Sequence, residues 1–377
     1  TAMSVGDGAT YAPAPMPRPV VGPGEFVVAA THLDHGHIYG MTEGLVGAGA
    51  TLKWVFDPDP ARVAAFRERF PQVRVARSED EVLADPDVAL VAGAAVTNER
   101  CALGLRVMEA GKDYFTDKAP LTTLDQLTAA REATARTGRK YAVYYSERIH
   151  VESAVLAGQL VERGAIGRVL SMSSFGPHRE GDPSTRPGWF YEKERYGGIL
   201  CDIGSHNMEQ LLHFTGALDA EVVSATIGNF NHPEHVELDD FGDVHLVTDT
   251  GATGYVRVDW LTPDGLSAWG DGRTFLLGTE GYIELRKYVN VATGEGADHV
   301  FLVDGQGEHH LRAAGTVGYP FFGELVLDCL ERTENAMTQE HAFKAAELAV
   351  RAQLAARELT SRTTDPALTA GSGASAP

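Results

Sequence analysis

The sequence predicts an α/β protein built in two parts: a doubly wound parallel sheet first, then an α+β unit with an open, mostly antiparallel sheet. Three observations carry this. At 377 residues and 44% apolar composition, the chain is long enough to fill two cores and apolar enough to do so. From Phe26 to about residue 146, short apolar runs alternate with amphipathic helical periods, the pattern of a parallel sheet covered on both faces. Beyond that, strand-like runs follow one another with hairpin signals between them.

In order, Phe26–Ala30 is a short apolar strand, and Ile38, Met41 and Leu45 mark the buried stripe of the next helix. Leu52–Phe56 is a strand. Asp59 then caps a helix with Pro60 at its first position, and Val63, Phe66 and Phe70 form its apolar face. Ser78 with Glu81 reads as a capping box, and Val88–Ala92 as a strand buried on both faces. A helix over 99–110, a strand over 113–116, a helix capped by Thr123 and a strand over 141–145 complete the first part. The second opens with a helix over 151–163. Strands follow at 168–175, 220–227, 240–248, 253–260, 273–278, 281–286 and 299–303, and helices over about 320–333 and 338–360 close the chain. The expected boundaries are 25–146 and 147–360, with Pro, Gly and Ala-rich flexible ends at 1–24 and 361–377.

Charge and cysteines narrow the function. Thirty-two basic against 52 acidic residues give −20, which repels phosphate backbones and anionic lipid, so neither nucleic acid nor membrane is an expected partner. Cys101, Cys201 and Cys329 are scattered and odd in number, arguing against a disulfide framework or thiolate zinc. With no membrane-length apolar run or secretion signal, a cytoplasmic protein is expected.

Two segments carry chemistry. Asp117-Lys118-Ala119-Pro120-Leu121 follows a strand, where a parallel sheet's carboxyl edge opens onto a crevice. Gly197 to His206 spaces Asp202 and His206 one helical turn apart, so that a carboxylate and an imidazole can face one point. A lysine, a carboxylate and an imidazole suffice to move a proton off an alcohol. Asp202 also reads as a helix N-cap ahead of Asn207–Phe214.

Together these segments resemble the glucose–fructose oxidoreductase, inositol dehydrogenase and rhizopine-catabolism family, over roughly residues 25 to 360. The resemblance implies a Rossmann domain, an open sheet that builds homodimers or homotetramers, and a last helix returning to the first domain. It implies NAD, a carbohydrate, cyclitol or glycoside substrate, His206 as base, Lys118 bonded to the same oxygen, and Asp202 orienting substrate or lysine. Ala119 parts the lysine from the proline of the family's Glu-Lys-Pro motif, so a trans turn of different shape is expected there.

The dinucleotide turn departs most. The family spacing places Thr31 and Leu33 on the first two glycines and Gly36 on the third. Asp57 stands where a carboxylate bonds the ribose hydroxyls, with no basic neighbour in sequence to favour NADP. Gly36, Asp57, His35 and Lys118 are therefore the expected cofactor contacts. Tyr145, Arg148, His178 and Trp189 are the expected substrate contacts, aromatic and hydrogen-bonding groups suited to a sugar.

Two alternatives stand beside the dehydrogenase. One is a lyase, isomerase or glycosidase using retained NAD, or a divalent metal on Asp202, His206 and His178. The other is a non-catalytic sugar-binding or regulatory protein that has lost its cofactor. Within the leading reading no metal is expected.

Overall fold

The computed structural model describes residues 18–359, and the ends expected to be flexible lie mostly outside them. The first part runs β1 (Val27–Thr31), α1 (His37–Gly47), β2 (Thr51–Phe56), α2 (Pro60–Arg69), β3 (Arg74–Val75), α3 (Glu79–Ala84), β4 (Val88–Gly93), α4 (Arg100–Glu109), β5 (Asp113–Asp117), α5 (Leu124–Thr137) and β6 (Tyr141–Tyr144). The six strands form one parallel sheet in the order β3-β2-β1-β4-β5-β6. Local chemistry sets the helix starts: Asp59, Ser78 and Thr123 each accept a backbone N–H of the first turn they cap. Gly138 ends α5 with φ 65°, a left-handed turn that costs glycine little.

The second part continues with α6 (Ser146–Ile149), α7 (Glu152–Glu162), β7 (Val169–Pro177), α8 (Lys193–Tyr196), α9 (Ile199–Asp202), α10 (Gly204–Thr215), β8 (Ala220–Gly228), β9 (Phe241–Thr248) and β10 (Thr253–Asp259). It ends with β11 (Arg273–Gly278), β12 (Tyr282–Arg286), β13 (His299–Asp304), β14 (Gly307–Arg312), α11 (Pro320–Glu331), α12 (Gln339–Ala355) and β15 (Arg357–Leu359). Nine strands form the second sheet, β14-β13-β12-β11-β7-β10-β9-β8-β15. Its pairs are antiparallel except β7 with β10 and β8 with β15. One face is covered by α7, α10 and α12. The other leaves Tyr255, Phe275, Leu277 and Tyr282 exposed, which follows from the alternation of exposure along β10, β11 and β12.

Three expectations need correction. The long terminal helix stops at Ala355, and Arg357–Leu359 pairs with β8 instead of extending it. Ile199–Asp202 is a helical turn with Ile199, Leu200 and Cys201 buried, so Asp202 ends one helical segment and does not cap the next as expected. Gly197 and Gly198 lead in at φ 92° and 88°, and a Cβ on Gly198 would lie 2.2 Å from the Gln353 amide carbon. That approach lets Gln353 accept the Leu200 N–H at 2.9 Å and donate to Asp239 at 3.0 Å, tying the turn to α12. Finally, the Lys118-Ala119 peptide is cis, not trans. Arg100 donates to both of its flanking carbonyls, Lys118 O and Ala119 O.

Candidate active site

The ends of β5, β6, β7 and β10 converge with α9 and α10 on one cavity. β7 and β10 run parallel, so Pro177 and Asp259 sit side by side and deliver His178 and Trp260 to the same place. From the parallel sheet come Lys118, immediately after β5, and Glu147, just after β6.

Lys118, Asp202 and His206 meet as the spacing implies. Lys118 Nζ donates to Asp202 Oδ1 at 2.7 Å, with the lysine side chain 5% exposed. His206 is buried on α10 and lines the same cavity. Burial first, then the positive field of Lys118, holds its pKa well below the usual histidine range, so the ring is neutral at neutral pH. Its Nδ1 is enclosed and without a hydrogen-bond partner among the described residues, which leaves Nε2 as the nitrogen able to meet a ligand.

Of the expected substrate contacts, His178 and Trp189 line the cavity. His178 Nδ1 lies 3.0 Å from Gly176 O, so Nδ1 carries the proton, and burial takes its pKa down to about 3. Tyr145 and Arg148 do not line the cavity. The Tyr145 hydroxyl donates to Ala342 O at 2.7 Å in the core, and the Arg148 guanidinium is paired with the buried Glu209 carboxylate at 2.6 Å. Both stand at the start of α6, whose first turn directs them toward α10 and α12.

Glu147, Trp260, Trp269 and Tyr288 also line the cavity and were not anticipated. Glu147 sits between the expected Tyr145 and Arg148, and its place at a strand's carboxyl end was the available signal. Its nearest cationic or imidazole groups, His178 Nε2 at 3.6 Å and Lys287 Nζ at 4.0 Å, are beyond hydrogen-bond range, and burial raises its pKa. The tryptophans arrive from the loop after β10, where the sequence carries no local signal of a site.

The dinucleotide turn has a different construction from a glycine turn. The left-handed residue is His32, at φ 53°, not Thr31 or Leu33, and its ring bonds Glu79 at 2.6 Å. Leu33 is buried. Asp57 is fully enclosed: one oxygen accepts Leu33 N–H at 2.6 Å and the other Asp59 N–H at 2.8 Å. In this conformation its carboxylate holds the turn and presents nothing to a ribose. A basic neighbour is present in space, because Arg62 Nη1 lies 3.5 Å from Asp57 and 2.7 Å from Asp34. Gly36 precedes α1 in ordinary helical conformation, and the His37 N–H is taken by His35 Nδ1 at 3.1 Å. His35 and His37 themselves line the cavity.

The ligand set of the metal alternative is not assembled: Asp202 pairs with Lys118, and the His/Asp group whose ligand atoms converge is His35, His37 and Asp117.

A nicotinamide dinucleotide therefore meets two different ends. Around Lys118 and His206 the cavity offers an ammonium and a neutral imidazole, the donor set that its reactive ring and an alcohol would need beside them. At the turn, buried Leu33 and the capped His37 amide leave no backbone cradle of the glycine kind for its phosphates.

Comparison with known proteins agrees with the fold. The family model described as an oxidoreductase family with an NAD-binding Rossmann fold matches residues 20–145, and the GFO/IDH/MocA C-terminal domain matches 155–284. D-xylose dehydrogenase of Paenarthrobacter nicotinovorans is 30% identical over 39% of this chain and only 38% of its own length. The NAD+ scyllo-inositol 2-dehydrogenase of Bacillus subtilis is 25% identical over 70% of this chain and 75% of its own. A crystal structure from Erwinia carotovora atroseptica, described as a candidate oxidoreductase, superposes with TM-score 0.87 at 52% identity, covering 89% of this chain and all of that one. Levoglucosan dehydrogenase in complex with NADH shares the fold at TM-score 0.72 and 18% identity, over 87% of this chain and 96% of that one. By both halves of its sequence, the chain belongs to the GFO/IDH/MocA family of oxidoreductases.

Proposed function

We propose that the protein interconverts a hydroxyl and a carbonyl on a sugar or cyclitol, with a nicotinamide dinucleotide as hydride partner. The observation that carries this is the Lys118–Asp202 pair at 2.7 Å sharing a cavity with neutral His206. His206 Nε2 takes the hydroxyl proton. Lys118 donates to the same oxygen and stabilises the charge that develops on it, while Asp202 fixes the ammonium in place. The dinucleotide, when bound, supplies the acceptor for the carbinol hydride. Lys118 and His35, which line the cavity, would hold its nicotinamide end. Arg62, the guanidinium beside Asp57, is engaged by Asp34 and so is not free to meet a 2′-phosphate, which favours NAD over NADP.

Trp189, Trp260 and Trp269 give the cavity apolar walls suited to the C–H faces of a pyranose or cyclitol, with His178 and Glu147 as polar contacts. The relatives' substrates, D-xylose and scyllo-inositol among them, define the panel to test. Formation of reduced nicotinamide from NAD with a member of that panel supports the reading. Turnover with none of them, in either direction, would remove it.

The exposed Tyr255, Phe275, Leu277 and Tyr282 make the second sheet's open face the proposed contact of a homodimer or homotetramer, to be checked by light scattering. No helix among the described residues is long and apolar enough to cross a membrane, and Cys101, Cys201 and Cys329 are free and buried. A cytoplasmic location is proposed with these.

A further inference from the structure

Two imidazoles and one carboxylate converge where the glycine turn is altered. His37 Nδ1 lies 2.7 Å from Asp117 Oδ1, and His35 Nδ1 lies 3.3 Å from Asp117 Oδ2. The two rings are 4.2 Å apart in edge contact, and one ligand atom from each of the three residues falls within 4.8 Å of the others. The carboxylate is fully buried. Because His35 Nδ1 accepts the His37 N–H at 3.1 Å, it carries a lone pair, which a metal would take over from that amide. Asp117 Oδ2 has no hydrogen-bond partner, although the Arg100 guanidinium approaches it to 3.2 Å. A buried carboxylate oxygen without a hydrogen bond is costly, and a cation shared with the two imidazoles would satisfy it.

We infer that His35, His37 and Asp117 form a site for one divalent transition metal, of the zinc, cobalt or manganese class, with open coordination positions toward the cavity. Two imidazoles and a carboxylate are the donor set those ions share, and three protein ligands leave room for further oxygen ligands. The open positions face an oxygen ligand, either a phosphate oxygen of a dinucleotide or a hydroxyl of a polyol. With a phosphate oxygen, the ion takes over at the turn what glycine amides do elsewhere. The assignment rests on the three side chains and not on the hydride chemistry proposed above.

The test uses the full chain, stripped with chelator and titrated with cobalt(II) while visible d–d absorption is followed. Bands that saturate at one equivalent are expected. His35→Gln and His37→Gln, each checked for folding by circular dichroism, should weaken cobalt binding by more than the ~10–100-fold that loss of an outer-shell partner costs. His309→Gln, on β14 away from the turn, should leave the titration unchanged. Saturation absent at one equivalent, or unmoved by both turn variants, overturns the site. Adding ADP-ribose or scyllo-inositol to the cobalt form then separates the two oxygen sources by which one shifts the bands; a shift with neither overturns the open positions. Turnover with NAD is measured separately, so the site and the proposed activity can fail independently.

Discussion

The two ends of the crevice contrast. Around Lys118, Asp202 and His206, an ion pair at 2.7 Å and a neutral imidazole share one cavity, and the proposed alcohol–carbonyl chemistry rests on them. At the turn between β1 and α1, a few ångströms away across Asp117, the glycine cradle is replaced by Leu33, Asp34, His35 and His37, and Asp57 is turned inward to hold it. The first end constrains which atoms must meet the substrate oxygen. The second has only to hold a cofactor, and more than one donor set can do that.

The largest effects belong to the first end. His206→Ala should lower turnover by ~10²–10⁴ on whichever panel substrate is active, with circular dichroism unchanged. Because burial holds the His206 pKa well below 6.5, its acid limb should fall well below pH 6.5. An acid limb centred near pH 6.5 that disappears in His206→Ala would put the ring in contact with solvent and contradict the burial.

Stability should sharpen the contrast through protons. His35, His150, His178, His206 and His213 are all depressed by burial, three of them to about 3. Below the unfolded value of 6.5 the unfolded chain binds protons that the folded chain refuses, so stability falls as pH falls, by about 1.4 kcal/mol per pH unit for each histidine. Asp34, Glu147, Asp259 and Asp298, raised by burial, oppose this slope and reduce it. Thermal melts between pH 7 and 5 should show Tm dropping; a rising Tm contradicts the burial of these rings.

Asp57→Ala should destabilise the turn by about 1–3 kcal/mol, since the Leu33 and Asp59 amides lose their acceptor. NAD affinity should change only as far as the turn loosens. A large affinity loss with unchanged Tm would return Asp57 to the ribose. Smallest is Tyr145→Phe, which removes one buried hydrogen bond to Ala342 O: about 1 kcal/mol of stability with KM unaltered.

The strand–helix alternation and the Lys118, Asp202, His206 set were legible because each has a local signature: a period, a cap, a spacing of four. Arg148 and Tyr145 misled for the same reason that Glu147 was missed. Three neighbours share one short helix start, and only packing against α10 and α12 decides which faces the cavity. Ile199–Asp202 was opaque because its helical turn depends on Gln353, more than 150 positions away. The inward rotation of Asp57 depends on Leu33 lying where a glycine was expected, a tertiary consequence that spacing alone does not carry.

The most direct test of the central claim follows the hydride. A cyclitol or aldose from the panel, deuterated at its carbinol carbons, is incubated with the protein and NAD, and the reduced nicotinamide is analysed by mass spectrometry. Deuterium on the nicotinamide in the wild type, lost in folded Lys118→Met and His206→Ala, is the expected result. No transfer from any panel substrate, or transfer at the wild-type rate in both variants, would contradict it.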